Sequence, residues 1–515
     1  MFANEFAPYL PILEKALKRL DRWRSSFDLE KAVRNVGEGS GTANIEPERL
    51  EDAVLEFTRR LEGNYPFHHP LYAGQMLKPP HPVAWLAWTL AMTINPNNHA
   101  LDGGPPTSEM EKEVVAKLAR MAGYGESFLG HLTSGGTVAN LEALWIGREL
   151  HPGKAVASTG QAHYTHERMS RVLGIPHITV PVDAEGNPDL EFLDAKADEI
   201  GTLVVTLGTT GLGRVEPLDR LLPWAREREI RVHVDAAYGG FYKLLAGREG
   251  IRSDPWELIG EADSIVIDPH KHGLQPYGCG SVLFKDPDVG RFYKHDSPYT
   301  YFTSDDLHLG EITLECSRAG ASAAGLWLTL ELLPLKGGAD RADGAPAEDF
   351  EADRREGHGG DSGAGNDNKD VESGAEGPGR SGGAGEPAGL VGVLLECRRA
   401  AMALHAELTE SESYRPYTEP ELDIVTYFPV PGEKKTSGVS RLSRQVMQRG
   451  MNDPESRLYL SLCSVSADHF CRLHPEYESD GEQVAILRSV LMKPEHHSFA
   501  GEILERLEAL AGKAV

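Results

Sequence analysis

The sequence predicts an α/β protein, with a mostly parallel central sheet in a large domain and a smaller α+β domain at the carboxyl end. Three observations carry this. At 515 residues the chain is too long for one ordinary domain. Through its middle, short β-rich runs bounded by Gly, Pro and Asp alternate with stretches of helical periodicity, the pattern of βα units. Nearer the carboxyl end, strand-like DIVTYFPV, LYLSLCSV and AILRSVLM precede the helix AGEILERLEALAGKAV, in a different order from the alternation before them.

Residues 1–75 read as a helical amino-terminal segment. Its start, MFANEFAPYLPILEKALKRLDRW, mixes acids and bases among apolar residues and lacks the basic-then-apolar order of a secretory signal. Residues 76–336 form the large domain. MEKEVVAKLARMAGY and GTVANLEALWIGREL repeat apolar residues at helical spacing, whereas AVAST, HITVPV, TLVVTLG, IRVHVDAA, SIVIDP and GSVLF are short and β-branched. Too little chain joins the last two strands for a crossover helix, so that pair is expected to be antiparallel or irregular. Residues 337–389 hold one aromatic, Phe350, and almost no branched aliphatics. Such a stretch cannot bury enough apolar area to offset the entropy of ordering, so it reads as a disordered insertion between the helices GLWLTLELLPL and LVGVLLECRRAAMALHAEL. Residues 390–515 form the small domain.

Composition removes several function classes. Asp and Glu number 78 against 52 Lys and Arg, a net charge of −26 that repels phosphate backbones and disfavours nucleic acid. No run approaches the roughly 20 apolar residues of a membrane span. The five cysteines, Cys279, Cys316, Cys397, Cys463 and Cys471, include no CxxC pair, and an odd number cannot all pair within the chain. A reduced, cytoplasmic protein without a metal site is expected.

Candidate chemistry falls where strands end, which is where open α/β sheets bind ligands. In DPHKHGLQPYGCG, Lys271 lies between two apolar strands. A lysine there is costly to desolvate, and covalent chemistry on its amine, a Schiff base with pyridoxal phosphate, is one reason to keep it. Asp235 ends the strand IRVHVD and needs a cationic partner, a role the protonated ring nitrogen of that cofactor fills. Ser134, Gly135, Gly136 and Thr137 precede a helix, where backbone N–H groups and hydroxyls approach a phosphate or simply cap the helix. His163 follows AVAST and suits stacking on a planar ring or acid–base work; Thr209 and Thr210 follow TLVVTLG and suit ligand contacts or a plain turn.

With HVDAAYGG, DPHKHG, TSGGTVAN, QAHY and LGTTGLG in place, the chain resembles the pyridoxal-phosphate-dependent decarboxylases of the group that includes aromatic-amino-acid, tyrosine, glutamate and diaminobutyrate decarboxylases. The resemblance implies the transferase-like fold (fold type I) of pyridoxal phosphate enzymes and decarboxylation of an L-amino acid to an amine. It implies that Lys271 carries the cofactor, Asp235 pairs with its ring nitrogen and His163 stacks on the ring. Ala237 lies against the opposite face, Ser134, Gly135, Gly136 and His270 hold the phosphate, and Thr210 contacts the ring side or the substrate carboxylate. The resemblance also implies a homodimer, with residues 1–75 contributing to its interface and Ser317 and Arg318, in LECSRAGASAAGLW, reaching a phosphate across it. FHHPLYAGQM resembles the family's substrate loop, placing Tyr72 and Gln75 near the substrate, and Arg488 resembles an arginine that contacts a substrate carboxylate. HDSPYTYFTS lies where the family has a lid tyrosine that protonates the carbanion, a role open to Tyr299 or Tyr301. An acidic substrate and an aromatic one both fit these residues. A carbon–carbon lyase of the sphingosine-phosphate type or an aminotransferase would use the same Lys271 and Asp235. A non-catalytic binding protein would have no need to keep both.

Overall fold

The computed structural model describes residues 6–27, 45–183, 185–294, 312–335 and 389–512. Seven strands form the main sheet: β1 (Leu129–Thr133), β2 (Ala155–Thr159), β3 (His177–Val180), β4 (Ile200–Thr206), β5 (Arg231–Asp235), β6 (Ser264–Ile267) and β7 (Gly280–Phe284). Their order is β1-β7-β6-β5-β4-β2-β3. The β3-β2-β4-β5-β6 ladder is parallel throughout, and β7 runs antiparallel to both β6 and β1. The expected antiparallel pairing after β6 is thus present. Because β1, β2, β4, β5 and β6 share one direction, Thr133, Thr159, Thr206, Asp235 and Ile267 all finish at one edge of the sheet.

The chemistry of the strands explains their depth. Every residue of β4, β5, β6 and β7 is buried, as expected for strands covered on both faces by helices. The sequence reading passed over β1, whose Gly130 and His131 interrupt its apolar pattern. Helix Gly136–Leu150 lays Ala139 and Ala143 against Val266 and Val282, which fixes its amino end beside the loop that follows β6.

The second sheet, β8 (Tyr414–Pro416), β9 (Ile424–Pro429), β10 (Ser461–Ser466) and β11 (Gln483–Val490), has the order β10-β11-β9-β8 and is antiparallel. Helix Leu390–Glu410 joins the two cores: Leu390, Val391 and Leu394 sit in the large core, while Ala400, Leu404 and Leu408 sit in the small one. Asp423, just before β9, reinforces the join by accepting the Tyr238 hydroxyl, with His272 Nε2 3.2 Å away.

At the amino end, helix Pro47–Leu61 has no buried residue, and Leu50, Val54, Phe57 and Leu61 form an exposed stripe along it. Except for Gly389, the 337–389 insertion lies outside the described residues, as do Tyr299 and Tyr301. Among the described residues no helix is long and apolar enough to cross a membrane, and no cluster of three His, Cys, Asp or Glu is arranged to hold a metal.

Candidate active site

The shared strand edge opens into a cavity of about 380 Å3 whose walls carry Lys271, Asp235, His163, Thr210, Ala237 and His270, together with Ser134, Gly135 and Gly136. At one end is the amino terminus of helix Gly136–Leu150, where the first N–H groups have no intrahelical acceptor and the helix dipole favours an anion. The two glycines are required there. Gly135 adopts φ +153°, and a Cβ on Gly136 would lie 2.7 Å from Asp268 Oδ2. One N–H of this turn is already engaged by an anion: Ser134 N–H donates to Glu315 Oε2 at 2.8 Å.

Deeper in the cavity, the buried Asp235 takes the Ala237 N–H on Oδ1 at 3.1 Å and faces His166 Nε2 across 2.8 Å through Oδ2. Burial alone would raise its pKa, but the hydrogen bond and charge of His166 outweigh that and hold it well below the usual carboxylate range, so Asp235 is ionised at neutral pH. Lys271 Nζ lies 3.2 Å from Asp268 Oδ2, and His270 Nε2 lies 3.5 Å from the same oxygen. Asp268 Oδ1 is buried with no hydrogen-bond partner among the described residues. Burial lowers the pKa of both His163 and His270, which leaves neutral imidazoles on the wall. His270 donates Nδ1–H to the Cys279 carbonyl at 2.9 Å, which turns Nε2 towards the cavity.

This set matches the cofactor that the sequence suggested. An anion seat, an amine, an ionised carboxylate in the depth, a neutral aromatic ring and a small alanine are what a phosphorylated, planar, ring-protonated aldehyde requires. Ser134, Gly135 and Gly136 would hold its phosphate, Asp235 its ring nitrogen and Lys271 its aldehyde carbon.

Six predicted residues do not line this cavity. Ser317 is exposed outside the cavity and accepts from Asn97 Nδ2 at 3.2 Å. Arg318 is committed within the chain, where Nη1 meets Glu111 Oε1 at 2.7 Å and the Leu132 carbonyl at 2.5 Å. Tyr72 is buried among Tyr65, Phe67 and Tyr459 rather than facing a ligand. Arg488 is 4% exposed and donates to the Thr210 carbonyl at 2.7 Å; it also lies 3.4 Å from Gln75 Oε1, so the guanidinium braces the Thr210 loop against the exposed Gln75. Thr209 is a turn residue, accepting the Arg214 N–H on its hydroxyl at 3.1 Å, whereas Thr210 lines the cavity.

The sequence reading missed Asp268, His166, Glu216 and Glu142. Asp268 stood in plain view inside DPHKHG. His166 follows His163 by one helical turn, and that spacing was the available signal. Glu142, fully buried, accepts from the Tyr293 hydroxyl at 2.9 Å and the Thr313 hydroxyl at 3.3 Å. The two ends of the stretch carrying Tyr299 and Tyr301 are therefore tied to the helix that faces the anion seat.

Comparison with known proteins agrees with the geometry. Residues 42–340 match the family model described as the pyridoxal-dependent decarboxylase conserved domain. The L-tyrosine decarboxylase of Enterococcus faecium is 25% identical over 437 residues, covering 64% of this chain and 70% of that protein. A probable L-tyrosine/L-aspartate decarboxylase of Methanoculleus marisnigri is 31% identical over 268 residues, covering 51% and 70%. The crystal structure of mouse CSAD superposes with a TM-score of 0.69 at 19% identity, covering 93% of this chain and 91% of that one, a likeness of fold. The family match spans more than half of the chain and includes every residue of the cavity wall: this chain belongs to the pyridoxal-dependent decarboxylase family.

Proposed function

We propose that the chain decarboxylates an L-amino acid with Lys271, Asp235 and the Ser134–Gly136 turn as its cofactor machinery. The observation that carries this reading is the convergence of a lysine amine and an ionised, buried carboxylate on one cavity that also holds a helix amino terminus. When bound, pyridoxal phosphate supplies an electron sink for the pair left on the α-carbon as carbon dioxide departs. The protein does the rest. Ser134, Gly135 and Gly136 fix the phosphate, His163 and Ala237 confine the ring between them, and Asp235 keeps the ring nitrogen protonated. Lys271 takes and returns a proton at its own Nζ as the substrate amine replaces it and later leaves. Tyr299 or Tyr301 delivers the proton to the α-carbon. Thr210 and Gln75, linked through Arg488, border the substrate.

The chain works as a cytoplasmic homodimer in this reading. The exposed stripe Leu50, Val54, Phe57 and Leu61 is an apolar helix face that a second copy of the chain would cover, and Ser317 would contribute to the partner's site. Purified protein with pyridoxal phosphate should release carbon dioxide from one member of a panel that includes tyrosine, aspartate and glutamate. Cofactor binding without release from any amino acid would overturn the decarboxylase assignment.

A further inference from the structure

We infer that His166 is a positioning residue for this reaction, whose Nε2–H holds the Asp235 carboxylate in one orientation and in its ionised form. The inference rests on Asp235 being the partner of the cofactor's ring nitrogen. His166 lies on the first turn of helix Thr165–Leu173, its side chain wholly buried. It supplies one of two donors that pin Asp235: Nε2 faces Oδ2 at 2.8 Å, and the Ala237 N–H meets Oδ1 at 3.1 Å. Donors from two separate elements set the plane of the carboxylate.

The donor nitrogen follows from its partner. Facing the Asp235 carboxylate oxygen across 2.8 Å, Nε2 carries the proton of this hydrogen bond, while Nδ1 is enclosed and has no hydrogen-bond partner among the described residues. The other charged or titratable groups around Asp235 are His233, Lys271, Glu216 and His163. All four are engaged with other partners. His233 binds Asn140 Oδ1 at 2.7 Å and Ser264 Oγ at 2.9 Å, Glu216 binds Thr159 and Thr206, and Lys271 faces Asp268. His163 Nδ1 lies 2.5 Å from the Thr165 hydroxyl. His166 does not line the cavity, so changing it alters Asp235 without reshaping the wall.

The test titrates apoprotein with pyridoxal phosphate from pH 5.5 to 8.5 and compares wild type, His166→Phe and His166→Gln. Phenylalanine fills the space without a donor, while glutamine returns an amide N–H near the Nε2 position. The Phe variant should bind roughly tenfold or more weakly at pH 8, the loss expected for one charge-assisted hydrogen bond. The deficit should widen as pH falls, because a buried carboxylate without its donor takes up a proton at higher pH. The Gln variant should run parallel to wild type. If Phe does not fold, His166→Leu serves as the donor-free variant. Equal, pH-independent weakening in Phe and Gln, or Phe within threefold of wild type throughout, overturns the inference and leaves the cofactor assignment intact. Failure of wild type to bind pyridoxal phosphate would overturn both.

Discussion

Replacing Glu216 with glutamine isolates a buried carboxyl group that braces the floor of the site. Glu216 is 3% exposed; Oε1 accepts from the Thr159 hydroxyl at 2.5 Å and Oε2 from the Thr206 N–H at 2.6 Å, so it joins the carboxyl ends of β2 and β4. Burial pushes its pKa from 4.5 up to about 7, against the opposing pull of those two hydrogen bonds. The folded state therefore keeps a proton that the unfolded chain has released. Stability from this group is full below about pH 4.5 and is lost as pH rises through 7. At 1.36 kcal/mol per unit, the shift corresponds to about 3 kcal/mol. Glutamine copies the protonated state: its carbonyl accepts from Thr206, and its amide donates to the Thr159 oxygen. Denaturant unfolding should find Glu216→Gln close to wild type at pH 5 and about 3 kcal/mol more stable at pH 8. Parallel pH profiles for the two proteins would refute the argument, because every other titrating group cancels in the difference.

Two further outcomes follow from the geometry. Gly136→Ala puts a methyl group 2.7 Å from Asp268 Oδ2, and the overpacking, about 1–3 kcal/mol, should raise the dissociation constant for pyridoxal phosphate roughly tenfold, as read by fluorescence titration. Phe57→Glu places a charge on the exposed stripe of helix Pro47–Leu61, where Phe57 is 59% exposed; sedimentation should show dimer giving way to monomer while the melting temperature of the large domain is kept.

How far the sequence could be read depended on the kind of signal each residue leaves. Strand runs such as IRVHVDAA announce themselves because a doubly covered strand must be apolar throughout, and their polar last residues then mark the ligand edge. That logic located Lys271, Asp235, His163, Thr210 and the Ser134–Gly136 turn, all of which line one cavity. His166 and Glu216 escaped because they act through other residues, and among 20 histidines and many acids nothing local distinguishes them. Tyr72 and Arg488 show the opposite limit. Motif resemblance fixes which segment lies near the site, but side-chain direction is decided by packing partners distant in sequence, here Tyr459 for Tyr72 and the Thr210 carbonyl for Arg488. The strand β1 was hidden by Gly130 and His131, whose place in the sheet is set by pairing with β7.

The most direct test of the account is chemical trapping of the lysine. Wild-type protein loaded with pyridoxal phosphate and reduced with borohydride should carry the pyridoxyl group on Lys271, identified by peptide mass spectrometry. Lys271→Ala should lose both that label and carbon dioxide release. A label on another lysine, or carbon dioxide release undiminished in Lys271→Ala, would contradict the assignment of Lys271 as the residue that holds the cofactor.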